Sequence, residues 1–230
     1  MFEPSADIYA AQLRRFRLRG DVWIRRADIA ADASVPASWF ALLDTPDALL
    51  GERMAALWSG TIDHLPTVAQ FFAQTLRRPA LLRQDDGSVQ LLYPYTVEQD
   101  DLNFFIGCPP LGERAPVDAP AWRALPAGLR HFHQHVHDGW TFFPSHSMGP
   151  LPFAEQAPLA DKLDAPSARV AQVRTVMHNG AGDYLCVNPR GGDAAGCVWW
   201  HEDPDRLEQV EFWGVLDAWI GLFLEEADTR

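Results

Sequence analysis

Proline sets the limits on what this chain can fold into. Eighteen prolines stand among 230 residues, and they are unevenly spread. Pro109, Pro110, Pro116, Pro120 and Pro126 crowd one segment together with Gly107 and Gly112. Pro144, Pro150, Pro152, Pro158 and Pro166 punctuate a second. A prolyl ring fixes φ and removes a backbone donor, so neither stretch supports a long helix or a central strand. The first stretch is the best candidate boundary. It separates residues 1–115, either an independent unit or an elaboration of one fold, from residues 122–230.

The region before the boundary reads helical first. Ile8, Leu13, Phe16 and Leu18 fall near helical spacing. Thr45 followed by Pro46 reads as a helix start, an N-cap hydroxyl and then proline at the first helical position. Leu49, Leu50, Met54, Leu57 and Trp58 keep the 3.6 period up to Gly60. A further helix is expected over Asp63 to Arg78, stopped by Pro79. Leu81 to Gln84 and Val89 to Tyr95 flank the turn Asp85-Asp86-Gly87-Ser88, which is a hairpin signal. Leu102 to Ile106 reads as a third strand.

Beyond the boundary, Leu125 to His137 reads as a helix with Leu129, Phe132 and Val136 on its apolar face and Gly139 as its stop. Strands are expected over Ala168 to His178, Tyr184 to Val187 and Cys197 to Trp200. A turn at Asn179-Gly180-Ala181-Gly182 and a glycine-rich loop from Asn188 to Gly196 separate them. Phe212, Val215, Leu216, Trp219, Ile220 and Phe223 repeat at three and four, marking a final helix over Phe212 to Glu226. Helix, strand meander and closing helix, preceded by a helical and hairpin region, make an α+β chain with an antiparallel meander.

Charge narrows the partners. The net charge is -12, which opposes binding to nucleic acid or anionic lipid and favours a basic protein. The excess is lopsided: residues 1–137 carry 13 basic and 16 acidic groups, and residues 138–230 carry 6 and 15. No run approaches the roughly 18 apolar residues of a membrane span. Residues 1–21 show neither the apolar core nor the cleavage site of a secretory signal, so a cytoplasmic location is expected. Cys108, Cys186 and Cys197 show no CxxC spacing and read as reduced thiols, although Cys186 and Cys197 flank a turn and can face each other.

Chemistry-bearing residues are few. His131, His133, His135 and His137 supply metal-ligating imidazoles. On a helix, however, His131 and His135 project outward while His133 and His137 lie on the flank of the core, so the four do not converge. His133 and His137 are the pair to weigh for a metal. His201-Glu202-Asp203 could supply acid–base groups, or Asp203 could cap a helix opened by Pro204. His178, before the glycine turn, reads as structural. Ser145-His146-Ser147 sets hydroxyls beside an imidazole, but there is no nucleophile elbow, phosphate-binding loop or dinucleotide fingerprint. No cofactor is implied. Gly182 and Asp183 read as a turn that sets strand register, Gly182 by a positive φ and Asp183 by capping local donors. Of Trp199 and Trp200, one must point outward on a strand. Beside Glu202, Asp203 and Asp205 it would be an aromatic anchor with an acidic rim.

Three pieces of this pattern resemble the SUKH superfamily of bacterial immunity proteins and cell-wall-assembly-regulator domains. Leu125-Pro126 through Leu129, Phe132 and Val136 to Asp138-Gly139 is similar to that family's opening helix. Gly182-Asp183-Tyr184-Leu185-Cys186-Val187 is similar to its Gly-Asp strand. Val198-Trp199-Trp200-His201-Glu202, followed by a helix with Leu216, Trp219 and Leu224, is similar to its closing elements. The resemblance spans roughly residues 122–226, and His137-Asp138-Gly139-Trp140 departs from it by lacking a second glycine. It implies a non-enzymatic protein that binds a cognate toxin domain and occludes it. Trp199, Trp200, Glu202, Asp203 and Asp205 are then the candidate contacts. The rival readings are a metal-dependent hydrolase built on the His-rich helix with His201 and Glu202, and a regulator or scaffold of the same fold without a toxin.

Overall fold

The computed structural model describes residues 3–98, 101–164, 166–170, 173–188 and 195–229. Among these, seven α-helices accompany two antiparallel sheets, an α+β fold with a strand meander and a C-terminal helix. The chain begins with α1 (Ala6–Arg15), β1 (Asp21–Trp23), α2 (Ala37–Leu43), α3 (Leu50–Leu57) and α4 (Pro66–Gln74). It continues through β2 (Ala80–Arg83), β3 (Val89–Val97) and β4 (Asp101–Gly107), then α5 (Pro120–Arg123), α6 (Ala127–His131) and β5 (Trp140–Phe143). The second sheet comprises β6 (Arg174–His178), β7 (Tyr184–Val187), β8 (Ala195–Trp199) and β9 (Leu207–Glu211), and α7 (Phe212–Gly221) follows.

The first sheet runs β1-β2-β3-β4-β5 and the second β6-β7-β8-β9. β5 lies beyond the proline-rich boundary yet pairs with β4, from Phe104–Phe143 to Gly107–Trp140. The main core is likewise continuous across the boundary, running from Trp39 and Trp58 to Leu216 and Ile220. Trp58 sits at its centre, in ring contact with Phe72, Tyr93, Phe132 and Trp140. Pro94 is tolerated inside β3 because β2 begins only at Ala80, opposite Leu92, and does not reach back to Pro94. No strand needs the missing donor there, and Arg77 N–H takes the Pro94 carbonyl at 2.7 Å.

Several expected boundaries shift for local reasons. Thr45 is not an N-cap: its hydroxyl donates back to Ala41 O at 2.6 Å and closes α2. α4 starts with Pro66, and its unpaired first amides meet a distant carboxylate. Asp217 of α7 accepts from Thr67 N–H at 3.0 Å, from the Thr67 hydroxyl at 2.7 Å and from Val68 N–H at 3.4 Å. The strand expected from Ala168 is regular only over β6; residues 171 and 172 lie outside the described residues, as do 189–194 of the glycine-rich loop. No helix opens at Pro204. Residues 201–206 turn instead, with Asp203 N–H on Trp200 O and Arg206 N–H on Asp203 O, and lead into β9. The final helix is capped by Glu211, whose carboxylate takes the Trp213 and Gly214 amides. It ends at Gly221 rather than Glu226.

Residues 147–159 link the two sheets. Phe142 N–H bonds Ser147 O and Trp140 N–H bonds Pro150 O along β5. The same segment then follows β6. Met148 N–H bonds His178 O, Leu151 N–H bonds Val176 O, Thr175 N–H bonds Ala157 O and Leu159 N–H bonds Val173 O, all at 2.9–3.0 Å. The prolines of this stretch thus deliver a connector that pairs with strand edges without becoming a strand itself.

Candidate functional site

The His-rich helix divides its imidazoles between two environments. After α6 the backbone widens into a π-helical turn over Phe132–Val136, closed by His137 N–H on Phe132 O at 2.9 Å. His135 is exposed and His131 half-buried, their rings 4.7 Å apart. His133 and His137 are fully buried, deeper than the flank position expected for them. The extra residue in the turn carries His137 into the core. His133 Nδ1 lies 3.0 Å from Asp138 Oδ1, and its Nε2 lies 2.9 Å from the Gln156 amide nitrogen. His137 Nδ1 faces the Cys108 carbonyl at 2.8 Å, so it carries the proton, and Nε2 accepts from the Tyr93 hydroxyl at 2.6 Å. Tyr93 in turn accepts from Trp58 Nε1–H at 2.9 Å. Burial, only partly offset by the Cys108 carbonyl, pushes the His137 pKa down to about 3. Both rings are therefore spent on protein partners. Among the described residues no group of three or more His, Cys, Asp or Glu side chains is placed to hold a metal ion.

The Gly182-Asp183 motif is a knot between neighbouring strands. Asn179 Oδ1 accepts from Ala181 and Asp183 N–H at 2.9 and 3.1 Å, and Asn179 N–H bonds Asp183 O at 3.1 Å. Gly182 holds φ +110, which a side chain would strain. Asp183, 6% exposed, uses one oxygen on Asn179 Nδ2 at 2.7 Å. Its other oxygen takes His201 N–H at 3.0 Å and His201 Nδ1 at 2.7 Å. Burial opposes ionisation of Asp183, but the bonds from His201 and Asn179 outweigh it and hold the carboxyl below the usual range. The motif thus pins the β6–β7 turn to the end of β8 and presents an exposed His201 ring. His178 accepts from Gly180 N–H at 3.3 Å, and burial lowers its pKa.

The tryptophans take opposite faces. Trp199 is turned inward, 5% exposed, packed with Leu159, Val170 and Val173, with its Nε1 donating to Pro204 O at 2.9 Å. The half-exposed aromatic is Trp200. Its Nε1 donates to Glu208 Oε2 at 2.8 Å, and its ring meets Trp219 of α7 edge-on, 6.3 Å between centroids. Glu202, Asp203 and Asp205, in the turn that follows it, are all exposed. Of the sequence candidates, Trp200, Glu202, Asp203 and Asp205 keep solvent access and Trp199 is buried on the opposite face. Glu208 and Trp219 complete the surface. The first was hidden because β9 carries only two apolar residues, and the second counted as core from its helical spacing.

Elsewhere, a concavity of about 140 Å³ is lined by Gln90, Cys108, Thr141, His146 and Glu155 among others. Burial pushes the Cys108 thiol up, away from the reactive thiolate. Ser145 and Ser147 hydroxyls bond each other at 2.6 Å instead of pairing with His146. Cys186 and Cys197 stand directly opposite across β7 and β8, buried and unbridged. No helix among the described residues is long and apolar enough to cross a membrane. Comparison with protein-family models, curated proteins and solved structures finds no match.

Proposed function

We propose that this protein is an immunity-type binding protein, acting in the cytoplasm, that neutralises a basic toxin domain by covering it. The observation that carries the reading is the Trp200 rim. A half-exposed indole is held in one orientation by Trp219 and Glu208, and the exposed Glu202, Asp203 and Asp205 follow it within five residues. A braced aromatic with charged neighbours is the usual composition of a binding hot spot, and the carboxylates speed encounter with a cationic partner. The SUKH resemblance supports the same reading. Occlusion asks nothing of the buried histidines.

The test is capture from the native host at low salt, elution with rising salt, and co-expression of the eluted protein with this chain. The expected result is one basic protein that is toxic alone and harmless beside the wild-type chain. Trp200→Ala should weaken the complex by about 2 kcal/mol. Recovery of no basic protein, or of one that the chain fails to neutralise, would overturn the reading.

A further inference from the structure

We propose that β9 is an open sheet edge on which an extended, basic segment of the partner adds as a fifth strand. This rests on the toxin-binding reading and specifies its contact. The two edges of the second sheet are unlike. β6 is closed by residues 148–159 through the backbone bonds described above. β9 pairs with β8 on its inner side, from Ala195–Glu211 to Trp199–Leu207 without a bulge. Its outer side meets no backbone partner among the described residues.

The direction of the free groups follows from the ladder. Asn179 N–H on Asp183 O makes that pair a hydrogen-bonded one. Bonded and unbonded pairs alternate in antiparallel sheets. Counting through the registers, Leu185 bonds toward β6, and Tyr184 and Cys186 bond toward β8. Gly196 and Val198 then bond toward β9, opposite Val210 and Glu208. Leu207, Gln209 and Glu211 are left with their backbone N–H and C=O groups turned outward. The outward His178 and Val176 carbonyls on β6 obey the same phase.

The chemistry of the edge selects its occupant. β9 contains no lysine, proline or bulge, and the only charges guarding this edge strand are carboxylates. It contains two glutamates and no basic residue, and the exposed Glu202, Asp203 and Asp205 precede it. A second copy of this chain would bring glutamates against glutamates across the new ladder, which is unfavourable. A strand with alternating basic side chains would instead set them all on one face, toward Glu208 or toward Glu211, and its apolar side chains all on the other, beside Leu207 in the first case or Val210 in the second.

The probe is a capped synthetic peptide of alternating arginine and valine, about eight residues long, a little over a typical strand. It is compared with the same peptide N-methylated at alternate backbone amides, which keeps charge and side chains but cannot complete the ladder. The expected result is binding that slows hydrogen exchange at the Leu207 and Gln209 amides and weakens about tenfold on methylation, as loss of one or two backbone bonds requires. Equal binding of the two peptides, no binding, or protection away from β9 overturns the proposal. Gln209→Pro removes an outward donor and should leave the inner ladder and circular dichroism intact while weakening the unmethylated peptide to the same degree. A toxin still neutralised by Gln209→Pro overturns the edge but not the toxin-binding reading. A chain that neutralises nothing yet takes the peptide along β9 overturns the toxin-binding reading and leaves the edge.

Discussion

The Tyr93 hydroxyl donates to His137 Nε2 across 2.6 Å, with both side chains fully buried. The bond is the middle of a line running from the Trp58 indole through Tyr93 and His137 to the Cys108 carbonyl. Every polar atom on that line depends on the next. Tyr93→Phe should strand both Trp58 Nε1 and His137 Nε2, lowering stability by about 1–3 kcal/mol in urea unfolding.

The same histidine makes stability fall in mild acid. Its folded pKa of about 3 lies below the roughly 6.5 of an unfolded imidazole. The unfolded chain therefore binds this proton first. The neutral-His137 contribution is complete above about pH 6.5 and is lost as pH falls toward 3, at up to about 1.4 kcal/mol per pH unit. His137→Gln should flatten that slope in a series of urea melts between those limits; an unchanged slope would assign it to other groups.

Gly107 should tolerate no side chain. A Cβ there would lie 2.5 Å from the His137 Nδ1 and Cε1 atoms, and that ring is fixed at both nitrogens. Gly107→Ala is expected to cost about 1–3 kcal/mol by overpacking, read from the denaturation midpoint.

Asp217 joins α7 to the start of α4, so its loss should be felt at a distance. Asp217→Ala removes the acceptor for the Thr67 and Val68 amides and the Thr67 hydroxyl. A loss of about 1–2 kcal/mol is expected, the cost of deleting a helix cap. Faster hydrogen exchange in the first turn of α4 would locate it there.

Cys186 and Cys197 should resist alkylation in the native protein and react together on unfolding. Both are fully buried, and burial together with its neighbour raises the Cys186 thiol. Mass spectrometry after brief iodoacetamide treatment reads this directly; rapid native labelling of both would contradict the packing.

What the sequence displayed depended on the range of the interaction. Tyr184 to Val187 and Leu102 to Ile106 were legible because alternation and flanking turns are local signals. β5 was not, because Trp140–Phe143 is uniformly buried and finds its partner across the proline-rich stretch. β9 was hidden by its polar sequence, since an edge strand needs little apolar surface. At the candidate site, the acidic rim and the presence of one outward tryptophan could be read from residues 199–205. Which tryptophan it was depended on the Pro204 carbonyl and on Trp219, neither of which lies in the strand. The Asp183–His201 tie escaped for the same reason: its partners are 18 positions apart.

The connector over residues 148–159 has a consequence for self-assembly. Because it occupies the β6 side, the second sheet can lengthen in one direction only. A strand that joins at β9 meets a sheet already covered at its far end, so two copies of this chain cannot pair β9 against β6. Head-to-tail growth of this chain into a filament through this sheet is thereby blocked by the protein's own backbone.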